Sequence, residues 1–354
     1  MADIQGSCDG RFAKVGDVLA TSLDTDDVGA SVAVFVDGQP VVDLWGGYVD
    51  AARTTPWGRD TITTVWSTTK TMTALCALVL ADRGDLDLDA PVAAYWPEFA
   101  AAGKETVLVR HLLGHSAGLP DFADPITVAD LTDWAGTTAR LAAQTPKWEP
   151  GTAAGYHSVT FGFLVGEVVR RVTGRTLGTF FQEEIVTPTG ADFHIGLAPE
   201  HDHRVAQLIP DPKGDKPPGF LVGVSDSFTE AWRRAEIPAV NGYGNARSVA
   251  AVQSALACGG VTGGVRLLSA AGGERVFEEQ FHGVDRVLGM PIRWGLGYRL
   301  ENRSASWGGW GGSVVLVDVE HRMVVAYVMN QVLWEDGYTR GVNAVLAAYE
   351  SVMA

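Results

Sequence analysis

The chain has 354 residues, 46% of them apolar, enough to bury a substantial core in one large or two closely associated domains and too many for a disordered chain. Its net charge of −15, from 27 basic and 42 acidic residues with no basic cluster, argues against nucleic acid and anionic membranes as partners. Cys8, Cys76 and Cys258 are too few and scattered for a disulfide framework, and neither an apolar leader nor a run long enough to span a bilayer is present, so a soluble cytoplasmic protein is expected.

Phe12, Val15, Leu19 and Leu23 predict an N-terminal amphipathic helix. Two apolar runs, 31–36 and 40–45, flank Asp37-Gly38 and predict a β-hairpin. Ser67-Thr68-Thr69-Lys70 then opens a helix in which Met72, Leu75, Cys76, Val79 and Leu80 recur at helical spacing and Gly84 provides the stop. Ala74, Ala77 and Leu78 make the other side apolar too, so this helix is expected to be buried. Residues i and i+3 share a helix face, which lets the Ser67 hydroxyl meet the Lys70 amine. Burial lowers a lysine pKa and allows it to act as a base, while the helix N-terminus favours an oxyanion. Taken alone, the tetrapeptide reads as an N-cap serine followed by a solvated lysine; its context has to decide.

From about residue 90 to 245 the pattern is helical, interrupted by loops. Gly114-His115-Ser116-Ala117-Gly118 matches G-x-S-x-G, a nucleophile elbow, but lacks the strand before it and the helix after it that the motif requires. Tyr156-His157-Ser158 follows Glu149-Pro150-Gly151 and precedes a helix marked by Phe161, Leu164, Val165, Val168, Val169 and Val172 and ended by Gly174. A tyrosine at such a junction suits a proton shuttle if a cation lowers its pKa; otherwise it packs. His157 is expected to orient the loop and to border the substrate site. His201-Asp202-His203 beside Glu200 reads as a solvated charged loop rather than a metal site. Residues 209–220, rich in proline, predict an irregular loop.

The C-terminal part returns to strands, predicted over 293–300, 313–319 and 323–329, the last two joined by a turn at Glu320-His321-Arg322. Trp307-Gly308-Gly309-Trp310-Gly311-Gly312-Ser313 opens a strand whose glycines admit a ligand or another backbone. A closing helix places Val342, Val345, Leu346 and Tyr349 on one apolar face. Strands at both ends with helices between predict an α+β fold: an antiparallel sheet from both chain ends, flanked by terminal helices. The expected division is an α/β domain of residues 1–89 and 245–354 and an inserted, mainly helical domain of 90–244, with the active site in the cleft between them.

The order S-x-x-K, Y-x-S and glycine-rich strand entry resembles the serine β-lactamase/penicillin-binding-protein superfamily, class C β-lactamase-like. His111-Leu-Leu-Gly-His-Ser-Ala-Gly-Leu-Pro120 is similar to that family's LLxHxSGLP segment, and Asn241-Gly-Tyr-Gly-Asn-Ala-Arg247 to a segment of its esterase branch. The resemblance implies a β-lactamase/transpeptidase-like fold with Ser67 as nucleophile, Lys70 as neighbouring base and Tyr156 assisting proton transfer. It also implies an oxyanion hole from the backbone N–H groups of Ser67 and Trp310, and a substrate site bordered by Trp307, Gly308, Gly309, Ser158 and His157.

Two departures bear on the substrate. Trp307 stands where lactamases carry the lysine of Lys-Thr-Gly, and Ser158 where they usually carry asparagine. Tryptophan offers one N–H and an apolar face, which suits a neutral ester better than an anionic lactam. This pattern resembles the family VIII carboxylesterases and implies hydrolysis of neutral short-to-medium esters through an acyl-enzyme, without metal or organic cofactor. An acyltransferase on the same centre and an amide or β-lactam hydrolase are the alternatives; a non-catalytic binding protein would have no use for all three groups.

Overall fold

The computed structural model describes residues 3–353. Nine strands form one antiparallel sheet: β1 (Ile4–Cys8), β2 (Gly29–Val36), β3 (Gln39–Gly47), β4 (Phe281–Val284), β5 (Pro291–Trp294), β6 (Arg299–Glu301), β7 (Ser304–Gly308), β8 (Val314–Asp318) and β9 (Met323–Met329). Their spatial order is β1-β3-β2-β9-β8-β7-β6-β5-β4, so β2 from the N-terminal part pairs with the last strand, β9, inside the sheet, Ala33 opposite Ala326. The principal helices are α1 (Ala13–Thr25), α2 (Thr69–Arg83), α3 (Trp134–Ala143), α4 (Thr160–Thr173), α5 (Ala246–Ala257) and α6 (Thr339–Met353).

Alternation of side chains across the central strands explains the layers. Val32, Val34, Val325 and Tyr327 point to one face, where they pack with Phe12, Val15 and Leu19 of the N-terminal segment and Ala344 and Ala348 of α6. Ala33, Phe35, Val324, Ala326 and Val328 point to the other, toward α2, α4 and α5. Burial on both faces makes these strands read as continuous apolar runs rather than alternating ones. The α2 helix is buried from Thr69 through Leu80 and ends at Gly84, whose φ of +79° gives the left-handed C-cap. No helix among the described residues is long and apolar enough to cross a membrane.

Two sequence expectations are corrected and a third is extended. The strand expected over 293–300 is two strands, because Gly295–Tyr298 turns back on itself with Gly295 N–H donating to the Tyr298 carbonyl. Gly297 sits against α2, where an added Cβ would come within 2.3 Å of the Ala74 methyl. The glycine-rich segment does more than lead into β8: its Trp307 and Gly308 close β7, and the rest forms the turn between the two strands. In α6 the buried face is Gly341, Ala344, Val345 and Ala348, whereas Val342 and Leu346 are exposed. Small residues face the sheet there because α6 lies close on β9, Gly341 within 3.5 Å of Tyr327 by its missing Cβ. The edge strands β1 and β4 are four or five residues long and mostly exposed, too short for an apolar period to reveal them.

Candidate active site

Ser67 lies in a single 3-10 turn, Trp66–Thr68, that leads into α2. Trp66 adopts φ +48°, a left-handed conformation costing a non-glycine residue roughly 1–2 kcal/mol. Its indole is held against Trp232 and Trp310, with ring centroids 6.0 and 4.9 Å away. Strain of this kind, sustained by packing, is a feature of functional turns. The turn is also stitched from outside: Val65 N–H donates to the Gly242 carbonyl, and Gly242 N–H to Thr69 Oγ1, both at 2.9 Å. The segment 241–247 therefore serves as a strap beneath the nucleophile, reaching it through a two-residue pairing of Thr63–Thr64 with Tyr243–Gly244.

Lys70 is fully buried, and its Nζ lies 3.0 Å from Ser67 Oγ and 3.0 Å from the Ala239 carbonyl. Burial, uncompensated by a carboxylate, pushes its pKa well below the ordinary lysine value. A neutral amine donates one N–H to Ala239 and retains a lone pair for the serine proton. Asn241 delivers that carbonyl. It accepts from Ile237 N–H and donates to the carbonyls of Trp232 and Ala235, closing the 235–241 loop.

Tyr156 packs its ring 4.8 Å from Lys70 Nζ. Trp307 Nε1 donates to Tyr156 Oη at 3.3 Å. Burial raises the phenol pKa above its usual value, outweighing the lowering by Ser67 and Trp307. The expectation of a cation-lowered pKa is thus reversed, and Tyr156 stays a proton donor at neutral pH. Trp307 differs from expectation too: its one N–H is committed to Tyr156, and its ring lies against Tyr156 and Trp294.

The tyrosine loop is held at every peptide. Gly155 N–H donates to the His115 carbonyl, Tyr156 N–H to Asp285 Oδ1 and His157 N–H to His115 Nδ1. Asp285 is wholly buried and its other oxygen accepts from Trp294 Nε1, at 2.9 Å. Trp294 lies parallel to the Tyr156 ring, 6.1 Å away. His115 is buried among Tyr156, Phe161 and Trp294, and burial pushes its pKa well down, so Nδ1 is an acceptor. His157 is also wholly buried; Nε2 accepts from Leu119 N–H and Nδ1 pairs with the Gly155 carbonyl. It orients the loop, and a direct substrate contact is not what this placement provides. Ser158 is exposed.

The turn 309–313 meets the nucleophile from the sheet side. Ser313 Oγ donates to the Val65 carbonyl at 2.8 Å and lies 2.9 Å from Thr68 Oγ1. Gly309 has no room for a side chain, since a Cβ would stand 2.1 Å from the Val65 carbonyl oxygen. Among the described residues, neither Ser67 nor Trp310 N–H donates to a turn, loop or cap carbonyl. We expect Gly309→Ala to push turn and nucleophile apart and cut kcat by about 100-fold or more, the scale of one lost oxyanion donor; steady-state kinetics with unchanged circular dichroism checks this.

Ser116 stands apart. It follows the short helix Val109–Leu113 rather than a strand, and its hydroxyl faces the His111 carbonyl at 3.5 Å. Asp202 is paired with Arg233 and Arg234, which accounts for the charged 200–203 loop without a metal. A separate cavity of about 570 Å³, lined by Trp96, Trp134, Thr138, Glu167 and Arg170, lies between α3 and α4 and includes none of these groups. Asp285, His115, Ala239 and Ser313 carry no sequence signal for these roles, except that His115 falls in the His111–Pro120 segment.

A family model described as Beta-lactamase matches residues 19–349. "Esterase/beta-lactamase LipL" of Mycobacterium tuberculosis (strain ATCC 25618 / H37Rv) is 36% identical over 361 residues, covering 93% of this chain and 83% of that protein. Among solved structures, a family VIII carboxylesterase matches with a TM-score of 0.93 and 42% identity, over 99% of this chain and 100% of that one. A penicillin-binding protein homologue from Caulobacter crescentus matches with a TM-score of 0.91 and 39% identity, again over 99% and 100%.

Proposed function

Because the chain belongs to the Beta-lactamase family and is a serine hydrolase, we propose that it is a carboxylesterase acting on neutral short-to-medium esters through Ser67. Neutral Lys70 takes the proton from Ser67 Oγ as that oxygen attacks the ester carbonyl. The N–H groups of Ser67 and Trp310 hold the oxyanion. Collapse of the tetrahedral intermediate breaks the ester C–O bond, and the Tyr156 phenol protonates the departing alkoxide. The protonated Lys70 then gives a proton to the Tyr156 phenolate, restoring neutral amine and phenol. Water then attacks the acyl-enzyme by the same steps in reverse order, giving back free Ser67 and a carboxylic acid.

The observation that supports the ester reading is Trp307. Where the resemblance places a lactamase lysine, this chain has an indole whose N–H serves Tyr156. A substrate carboxylate entering there would be desolvated without an ion pair, at a cost of several kcal/mol. Apolar acyl or alcohol groups instead gain about 25 cal/mol per Å² buried against that ring. Three free cysteines support a reducing, cytoplasmic setting within this reading.

The test compares kcat/KM for p-nitrophenyl butyrate, a chromogenic cephalosporin and a dipeptide amide. We expect butyrate to lead by at least a hundredfold, with several kcal/mol of lost carboxylate pairing behind the difference. A preference for the cephalosporin would refute the ester assignment.

A further inference from the structure

Behind the turn that carries Trp310 lies a buried ion pair that the mechanism does not use. Arg340, in the first turn of α6, is 3% exposed and pairs with Asp27, 1% exposed, from the end of α1. Its Nη2 donates to the Gly311 carbonyl, its Nε to the Gly337 carbonyl at 3.1 Å, and both terminal nitrogens approach the Gln331 carbonyl at 3.3 Å. Tyr327 of β9 donates to the second oxygen of Asp27. One guanidinium thus ties together the turn, the segment leaving β9 and the start of α6.

We propose that Arg340 is a positioning residue for the oxyanion hole, fixing the Trp310 N–H from behind through the Gly311 carbonyl while Asp27 fixes the guanidinium. The turn 309–313 has two side-chain anchors, beside one long backbone contact from Leu333 N–H to the Gly311 carbonyl at 3.4 Å. Ser313 holds its far end to the nucleophile turn through Val65 and Thr68. Arg340 holds the middle, one peptide beyond Trp310. Between them, Gly312 N–H closes on the Gly309 carbonyl at 3.1 Å. Gly311 and Gly312 have φ of +89° and +132°, conformations open to glycine, so the backbone here has little stiffness of its own. A hydrophobic filler would pack the same space at lower desolvation cost but would leave the Gly337 and Gln331 carbonyls without this donor and the Gly311 carbonyl with only the 3.4 Å contact from Leu333 N–H. Only the planar, five-donor guanidinium serves all three at once; lysine offers a point charge without the fork.

The inference rests on the proposed esterase centre. The measurements are kcat and KM for p-nitrophenyl butyrate, and the affinity of phenylboronic acid, whose tetrahedral adduct on a serine mimics the transition state. Arg340→Lys is expected to lower kcat by roughly 10- to 100-fold at nearly unchanged KM, part of the loss seen when an oxyanion donor is removed. Boronate affinity should fall by the same factor. Tyr327→Phe loosens Asp27 but leaves the fork in place, so it should lower Tm and keep kcat within about threefold, a shift ordinary for a variant outside the site. If Arg340→Lys does not accumulate folded, Arg340→Gln replaces it, since its amide keeps N–H donors but cannot serve the Gly311, Gly337 and Gln331 carbonyls at once. Parental kcat and boronate affinity in the folded variant would overturn the proposal, as would a fall in kcat with boronate affinity intact. Ser67→Ala separates the two levels: if it stays active, the esterase centre itself is misassigned; if it is dead while Arg340→Lys is parental, only the brace fails.

Discussion

Ser67→Ala is expected to lower ester turnover by on the order of 10⁵-fold, as removal of a nucleophile does in other serine hydrolases. The reason is local. Ser67 Oγ is the hydroxyl that Lys70 Nζ reaches, and it sits at the mouth of a buried helix. The same substitution at Ser116 should leave turnover within a few-fold of the parent, because that hydroxyl faces a backbone carbonyl and has no base. Intact-mass spectrometry after brief mixing with p-nitrophenyl butyrate gives an independent reading: an acyl adduct on the parent, none on Ser67→Ala. Full activity of Ser67→Ala together with loss in Ser116→Ala would return the nucleophile to the G-x-S-x-G segment.

Lys70→Met is expected to cut kcat by roughly 10³-fold or more, comparable with loss of a base that acts as one unit with its nucleophile. It should also change how stability depends on pH. The folded pKa of Lys70 lies well below 10.5, the value it takes when exposed. Between those two pKa values the unfolded chain holds a proton that the folded chain does not, so the parent loses stability as pH falls from 10.5, by about 1.4 kcal/mol per unit until the folded pKa is reached. Above 10.5 this cost is gone. The Tm of Lys70→Met relative to the parent should therefore be most favourable at neutral pH and should decline toward pH 10. A constant Tm difference across that range would mean the amine is not neutral when folded. In the parent, kcat/KM should fall as acid protonates Lys70, and Tyr156, with its raised pKa, should add no descending limb near neutrality.

Local patterns carried much of this protein in its sequence. Helical spacing and the stop at Gly84 or Gly174 mark α2 and α4, and Asp37-Gly38 marks the β2–β3 hairpin, because these signals depend on residues within one or two turns of chain. The pairing of Ser67 with Lys70 follows from a single helical turn, and the place of Tyr156 beside Lys70 from the order of motifs. Other features depended on neighbours distant in the chain. The exposed side of α6 carries Val342 and Leu346, since the close approach to β9 favours small residues such as Gly341, Ala344 and Ala348 beneath. Asp285, 129 residues from Tyr156, and Arg340, 313 from Asp27, look like any other charged residues in an acidic chain. Their roles arise only when folding strips them of water, because a buried charge must find its partners wherever the topology puts them. Tyr156 shows the same rule in reverse: its position was written locally, but whether it holds or gives up its proton was decided by the depth at which tertiary packing buried it.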